Sequence, residues 1–249
     1  MATRRKLGVI AGVTVLLVAV AGFAGWWFLI RDDAPPEADI DTASETLDEA
    51  GAGDSANGEE AAADSAIDGT WSVDTSVGTF DDFTGTWAGY RVEEELASIG
   101  TNTAVGRTPN VSGSMTVEGD QVTAVDVEVD LTTLRSDSGN RDGALRSRGL
   151  ESDQFPTATF SLTEPIALPA GAGDGERVTA QATGDLMIHG VTQPVTLTVE
   201  AELSGGAAAV VGQAPVALAD FDIDPPTGFS VLSIRDQGTF EFQLFFSQG

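Results

Sequence analysis

From Trp71 onward, apolar residues recur at every second position, and that period commits the chain to β-structure. It is clearest over residues 122–132, where Val125, Val127, Val129 and Leu131 fall on one face and Asp126, Glu128 and Asp130 on the other. A half-buried strand requires this alternation, because successive side chains leave opposite sides of the pleat. Residues 184–200 read as one hairpin: 184–188 run in, 189–194 turn and 195–200 run out, with Val195, Leu197 and Val199 on a common face. Gly190 supplies turn freedom, and Pro194, which has no N–H to donate, suits the first position of the outgoing strand.

Further strands are expected at 71–73, 86–93, 111–118, 158–163, 178–188, 196–203, 210–221 and 238–246, the last with Phe240, Phe242, Leu244 and Phe246 on one face. About eight strands separated by turn signals predict an all-β fold, an antiparallel β-barrel. One short helix breaks the series at 140–150. Asn140 can cap it, Asp142 suits its positive end, and Arg146 and Arg148 lie toward the other. A helix so short must lie on the barrel, with Arg141 or Asp142 in a salt bridge to it.

Ahead of the strands lie two segments of different composition. Residues 1–31 hold an uncharged apolar run, 7–30, which as a helix spans about 36 Å, enough to cross a bilayer. Arg4, Arg5 and Lys6 precede it while Asp32 and Asp33 follow, so the positive-inside rule leaves the N-terminus in the cytoplasm and the remainder outside. Trp26 and Trp27 suit the far interface. A retained anchor is expected, because the run continues past the small residues at 19–21; cleavage there would make the protein secreted. Residues 32–70 carry thirteen acids up to Asp68 and no base, the composition of a disordered linker. The barrel domain is then 71–249.

Composition excludes several functions. The chain has no Cys, so it makes no disulfide and no thiolate metal site. A net charge of −27 repels nucleic acid. With one His, no Cys and no G-x-S-x-G elbow, no nucleophile has an evident base, and His189 reads as a solvated turn residue. Asp220, Asp222 and Asp224 alternate as a calcium loop begins, but Pro225 stands where such a loop needs Gly, so no metal is expected. No catalytic residue is assigned.

The aromatic residues carry more information. An eight-stranded barrel either packs its interior solid or holds one small ligand. Small residues on strand faces (Gly89, Gly113, Ala180, Ala182, Gly184) leave room for a long, thin, apolar ligand. By size and position, Trp87, Tyr90, Phe155, Phe160 and Phe229 are the candidate ligand-binding residues.

Three stretches then resemble the YceI-like family of exported bacterial proteins. Trp71-Ser72-Val73-Asp74 is similar to the family's opening W-x-(V/I)-D. Arg141-Asp142-Gly143-Ala144-Leu145-Arg146-Ser147, followed by Phe155-Pro156-Thr157-Ala158-Thr159-Phe160, resembles its R-D-x-x-L-(R/K)-S … (F/Y)-P-x-(A/I)-x-F signature. The hairpin 184–195 is similar to its G-x-L-T-(I/L)-x-G-V-T-(K/R)-P-V element, with Met187 and Gln193 as departures. The resemblance implies a lipocalin-like barrel that binds a polyisoprenoid or similar amphiphilic lipid without catalysis, with no cofactor beyond a bound isoprenoid lipid or quinone. The partners are then that lipid and the membrane reached through the N-terminal helix. The alternative is a solid barrel that serves as a cell-surface protein-interaction module.

Overall fold

The computed structural model describes residues 34–54, 67–98, 100–169, 172–173, 175, 177–204, 206–228 and 230–248. The apolar run 7–30 lies outside them. Among the described residues, no helix is long and apolar enough to cross a membrane.

Among the described residues, eleven strands form one antiparallel sheet: β1 (Gly69–Asp74), β2 (Trp87–Leu96), β3 (Gly100–Thr108), β4 (Val111–Glu118), β5 (Gln121–Asp130), β6 (Thr157–Leu162), β7 (Ile166–Ala167), β8 (Val178–Ile188), β9 (Val191–Ser204), β10 (Ala207–Ala217) and β11 (Val231–Gln248). Eight of them close a ring in the order β1-β4-β5-β6-β8-β9-β10-β11, sealed where β1 pairs with the end of β11. The expected barrel is present, and closure leaves its ring no free edge. β11 is long enough to have two partners on one side. Phe245–Gln248 pair with β1, while 231–243 pair with β2, which carries β3 outward. The β2–β3 pair thus raises the wall above the ring on one side. β3 was missed in the sequence because GTNTAVGRT lacks regular alternation.

The alternation sets which side chains enter the barrel. Phe240, Phe242, Leu244 and Phe246 of β11 point inward together, as their shared parity requires. Met115, Val117, Val122, Val125, Val127 and Val129 face them from β4 and β5.

The hairpin turns more tightly than its sequence suggested. Two residues, His189 and Gly190, join β8 to β9 with φ of 55° and 75°. Two successive positive φ values reverse a twisted hairpin without a longer loop. Pro194 consequently sits inside β9, opposite Asp185, rather than at its first residue. His189 is not solvated. Its Nδ1 lies 3.1 Å from the Phe221 carbonyl oxygen and its Nε2 2.9 Å from the Glu151 carboxylate. It is a structural tie between the turn and the loops at that end of the barrel.

The larger correction concerns the linker. Residues 40–54, expected to be disordered, form helix α1 (Ile40–Asp54). Its acids had suggested a solvated spacer, but Ile40, Ala43 and Leu47 lie at helical spacing and make a narrow apolar stripe. The stripe packs on the outside of the barrel against Ala209, Val211 and Phe245, and Val77 closes over it. Asp39 caps the first turn, accepting from the Thr42 N–H at 3.1 Å. Asp41 meets Arg177 at 2.6 Å, and Asp48 accepts from Ser204 at 2.6 Å. The carbonyls of Pro35 and Pro36 accept from Arg91 and Arg107. The segment is a strap down the wall. Ala43 is fully buried, so Ala43→Glu would place a carboxylate in an apolar seam. Backbone amides of α1 should then exchange with solvent at least about tenfold faster, with β8 and β9 still protected, as hydrogen exchange read by mass spectrometry would report.

Candidate functional site

Two cavities occupy the barrel, one above the other. The lower lies within the ring and has a volume of about 170 Å³. Trp71, Phe160, Leu186, Leu197, Phe242 and Phe246 contribute to its walls, and Ala180, Ala182 and Ala208 leave the space. Of its lining residues only Thr159 and Glu202 carry polar side chains. Its shape follows from the valine-rich strands on one side and small residues on the other. Water gains little in such a void, which favours an apolar occupant.

The upper cavity, about 650 Å³, lies under helix α2 (Gly139–Ser147) and inside the raised β2–β3 wall. Phe240 is the one lining residue common to both cavities, so they meet at its ring. Phe240 and Phe242 stand with ring centres 6.0 Å apart, along the junction. The upper cavity mixes apolar residues such as Ile188, Val216 and Leu218 with Tyr90, Glu94, Asn102 and Arg141.

Helix α2 starts one residue before its expected bound and ends three residues short of it, and Ser138 rather than Asn140 caps it. It lies on the barrel end as expected, tied there by Arg141. The Arg141 guanidinium meets buried Glu94 of β2 at 2.5 Å and also pairs with Asp137. Asn102 of β3 donates to the same Glu94 oxygen at 2.8 Å. Burial opposes the charge on Arg141, but the bond to Glu94 and the attraction of Glu94 and Asp137 outweigh it and raise its pKa. Asp142 accepts from the Ser136 hydroxyl at 2.6 Å.

Tyr90 extends into the upper cavity from β2. Its ring lies on Gly106 of β3; a Cβ there would come within 2.4 Å of the ring, so only glycine admits this rotamer. The Tyr90 hydroxyl is buried and has no hydrogen-bond partner among the described residues. Burial raises its pKa far above the ordinary tyrosine value, so the phenol keeps its proton.

The five sequence candidates separate. Tyr90 lines the upper cavity and Phe160 the lower. Trp87 does not enter the barrel: its neighbour Ala88 faces the lower cavity, so parity sends Trp87 outward. There it donates to the Phe83 carbonyl at 3.1 Å and supports the Arg107 guanidinium, 3.7 Å above its ring. Phe155 lies edge-on to His189, with ring centres 4.4 Å apart, at the turn end and in neither cavity. Phe229 falls outside the described residues. Sequence reasoning missed Trp71, which lines the lower cavity, and Phe240, which joins the two. The shared parity along β11 was the signal available for Phe240.

The chain was compared with known proteins. A family model described as the YceI-like domain matches residues 61–246. A UPF0312 protein of Vibrio campbellii is 31% identical over 140 residues, which is 52% of this chain and 69% of that one. A UPF0312 protein of Pseudomonas aeruginosa is 33% identical over 148 residues, covering 55% and 72%. Among solved structures, a polyisoprenoid binding domain from Saccharophagus degradans aligns with a TM-score of 0.53 at 16% identity, over 72% of this chain and 98% of that one. Burkholderia cenocepacia BcnA aligns with a TM-score of 0.50 at 19% identity, over 64% and 95%. At these identities the structural matches speak for the fold.

Proposed function

The chain belongs to the YceI-like domain family, and on that premise we propose that it is a non-catalytic lipid-binding protein whose barrel holds an isoprenoid or similar amphiphilic lipid. The observation that carries this reading is the lower cavity, lined chiefly by the barrel strands and walled almost wholly by hydrocarbon. Each methylene moved there from water contributes about 0.8 kcal/mol, so a few isoprene units offset the cost of association. The polyisoprenoid binding domain of Saccharophagus degradans, which shares the fold, lends support. A solid interaction module is less favoured, because such a barrel would have no cavity to explain.

The same reading places the barrel outside the cytoplasm on a single N-terminal anchor. Its support is the apolar run 7–30 with Arg4, Arg5 and Lys6 before it. Four residues, 31–34, separate that run from Pro35, whose carbonyl accepts from Arg91 of the barrel wall. The barrel would therefore stay close to the bilayer from which a lipid could enter.

Trp71 reports on occupancy, because its ring lines the lower cavity. Titration of the full chain with a short isoprenoid quinone should quench tryptophan fluorescence saturably, and Trp71→Phe should remove most of that quenching. Quenching that is linear in quinone, or unchanged in Trp71→Phe, would count against occupancy of the barrel.

A further inference from the structure

We infer that the tip of the raised wall, around Leu232, docks on the surface of the bilayer, so that the barrel stands on the membrane by its upper end. This rests on the reading of residues 7–30 as an anchor. It adds the orientation of the barrel, the residue that makes contact and the partner, a phospholipid surface.

Three observations converge. The first is the side chain itself. Among the described residues, Leu232 is the one large apolar side chain left exposed, at 59%. A lone exposed leucine is ordinary on a protein surface, but this one sits at a bulge. Val231 pairs with Leu96 and Ser233 with Glu95, which leaves Leu232 outside the register of β11 on β2. A bulge re-aims its extra side chain away from the regular alternation. Residues 225–234 around it carry no charge, in a chain of which 20% is charged. Val231, Ile234 and Leu96 beside it are half-buried.

The second is the direction of the strap. Pro35 is tied to Arg91, which pairs with Thr239 near the upper end of β11. Helix α1 lies lower, on Phe245, and Asp48 reaches Ser204 beside the β9–β10 turn. The strap therefore descends as β11 does, and its N-terminal end points up toward the tip.

The third is length. The four residues 31–34 lie between the apolar run and Pro35, and four residues extend at most about 14 Å. From Arg91 to Leu96 the strand β2 climbs about 17 Å. The tether is no longer than the climb, so a barrel standing over its own anchor meets the bilayer with its tip. Charge sets the kind of surface. Asp137, Asp153 and Asp236 are exposed at this end together with Arg146 and Arg148. Such a mixture suits a zwitterionic surface and gains nothing from an anionic one.

The test uses site-specific labels, which the absence of Cys makes simple. Leu232→Cys carries an NBD fluorophore at the tip. Asp120→Cys, exposed in the β4–β5 turn at the opposite end, carries the control. The full chain is reconstituted into phosphatidylcholine vesicles that contain phosphatidylcholine spin-labelled on its acyl chain. The label at 232 should be quenched and its emission shifted to the blue, while the label at 120 should show neither change. With the label moved to exposed Ser230 (Ser230→Cys), adding Leu232→Ser should lower the ratio of docked to free barrel about tenfold. Equal quenching at 120 and 232 would overturn the docking, as would quenching at 230 that Leu232→Ser leaves unchanged. So would an unquenched label at 232 in a chain that floats with the vesicles and resists carbonate extraction; the anchor and the lipid-binding reading would then stand without it. A chain that carbonate strips from the vesicles would remove the anchor, and this inference with it.

Discussion

Replacing Arg107 with Ala should lower the unfolding free energy by about 3–5 kcal/mol, the cost of leaving a buried charge without its partner. Arg107 and Glu241 are each 1% exposed. They lie on the outer face of β3 and β11, beneath the strap that leads into α1. Nη2 and Nε of Arg107 reach the same Glu241 oxygen, at 2.8 and 3.2 Å. The guanidinium also rests on Trp87, with Phe83 at 4.7 Å, and donates to the Pro36 carbonyl. Burial lowers the Arg107 pKa and Glu241 opposes that shift, so the two charges depend on each other. Without Arg107, Glu241 keeps Arg91 as its one ion-pair partner among the described residues, Trp87 loses its cover and the strap loses one of its upper ties. Arg107→Lys keeps the charge but loses the planar stacking and the fork, and should fall between the two. Urea unfolding of the full chain measures all three. A loss below about 1 kcal/mol in Arg107→Ala would mean that Arg91 alone neutralises Glu241.

Ala182→Phe should abolish most lipid binding while the barrel still folds. Ala182 is 4% exposed and its methyl faces the lower cavity. A benzyl group there would occupy much of a void of about 170 Å³. Since the side chain enters existing space, the expected stability change is no more than about 1–3 kcal/mol. Affinity for tetraprenyl benzoquinone should fall at least tenfold, roughly the 1.4 kcal/mol that a lost factor of ten represents. Unchanged affinity with an intact fold would place the ligand elsewhere.

Much of the barrel was legible in the sequence because strand alternation is local. Val111–Glu118 and Val178–Ile188 emerge with the bounds that alternation gives. The inward face of Phe240, Phe242, Leu244 and Phe246 could be read for the same reason. What local pattern could not supply was which face of β2 turns inward. Trp87 is large and apolar, and only pairing with Gln243 on β11 reveals that it lies outside with Arg107. The strap was hidden for a related reason: Ile40, Ala43 and Leu47 are too few to fold alone, and their cover, Ala209 and Phe245, comes from the other end of the chain. His189 looked like a solvated turn because its partners, Glu151 and the Phe221 carbonyl, are distant in sequence. The two-residue turn at His189 and Gly190 needed a positive φ at a histidine, which composition does not announce.

The measurement that bears most directly on the whole account is native mass spectrometry of the full chain, purified in mild detergent from the cells that make it. The account predicts a species heavier than the polypeptide by one isoprenoid lipid, released on gas-phase activation and largely missing from Ala182→Phe. A bare polypeptide mass, with no uptake of tetraprenyl benzoquinone or the tetraprenyl hydrocarbon when they are added, would contradict it.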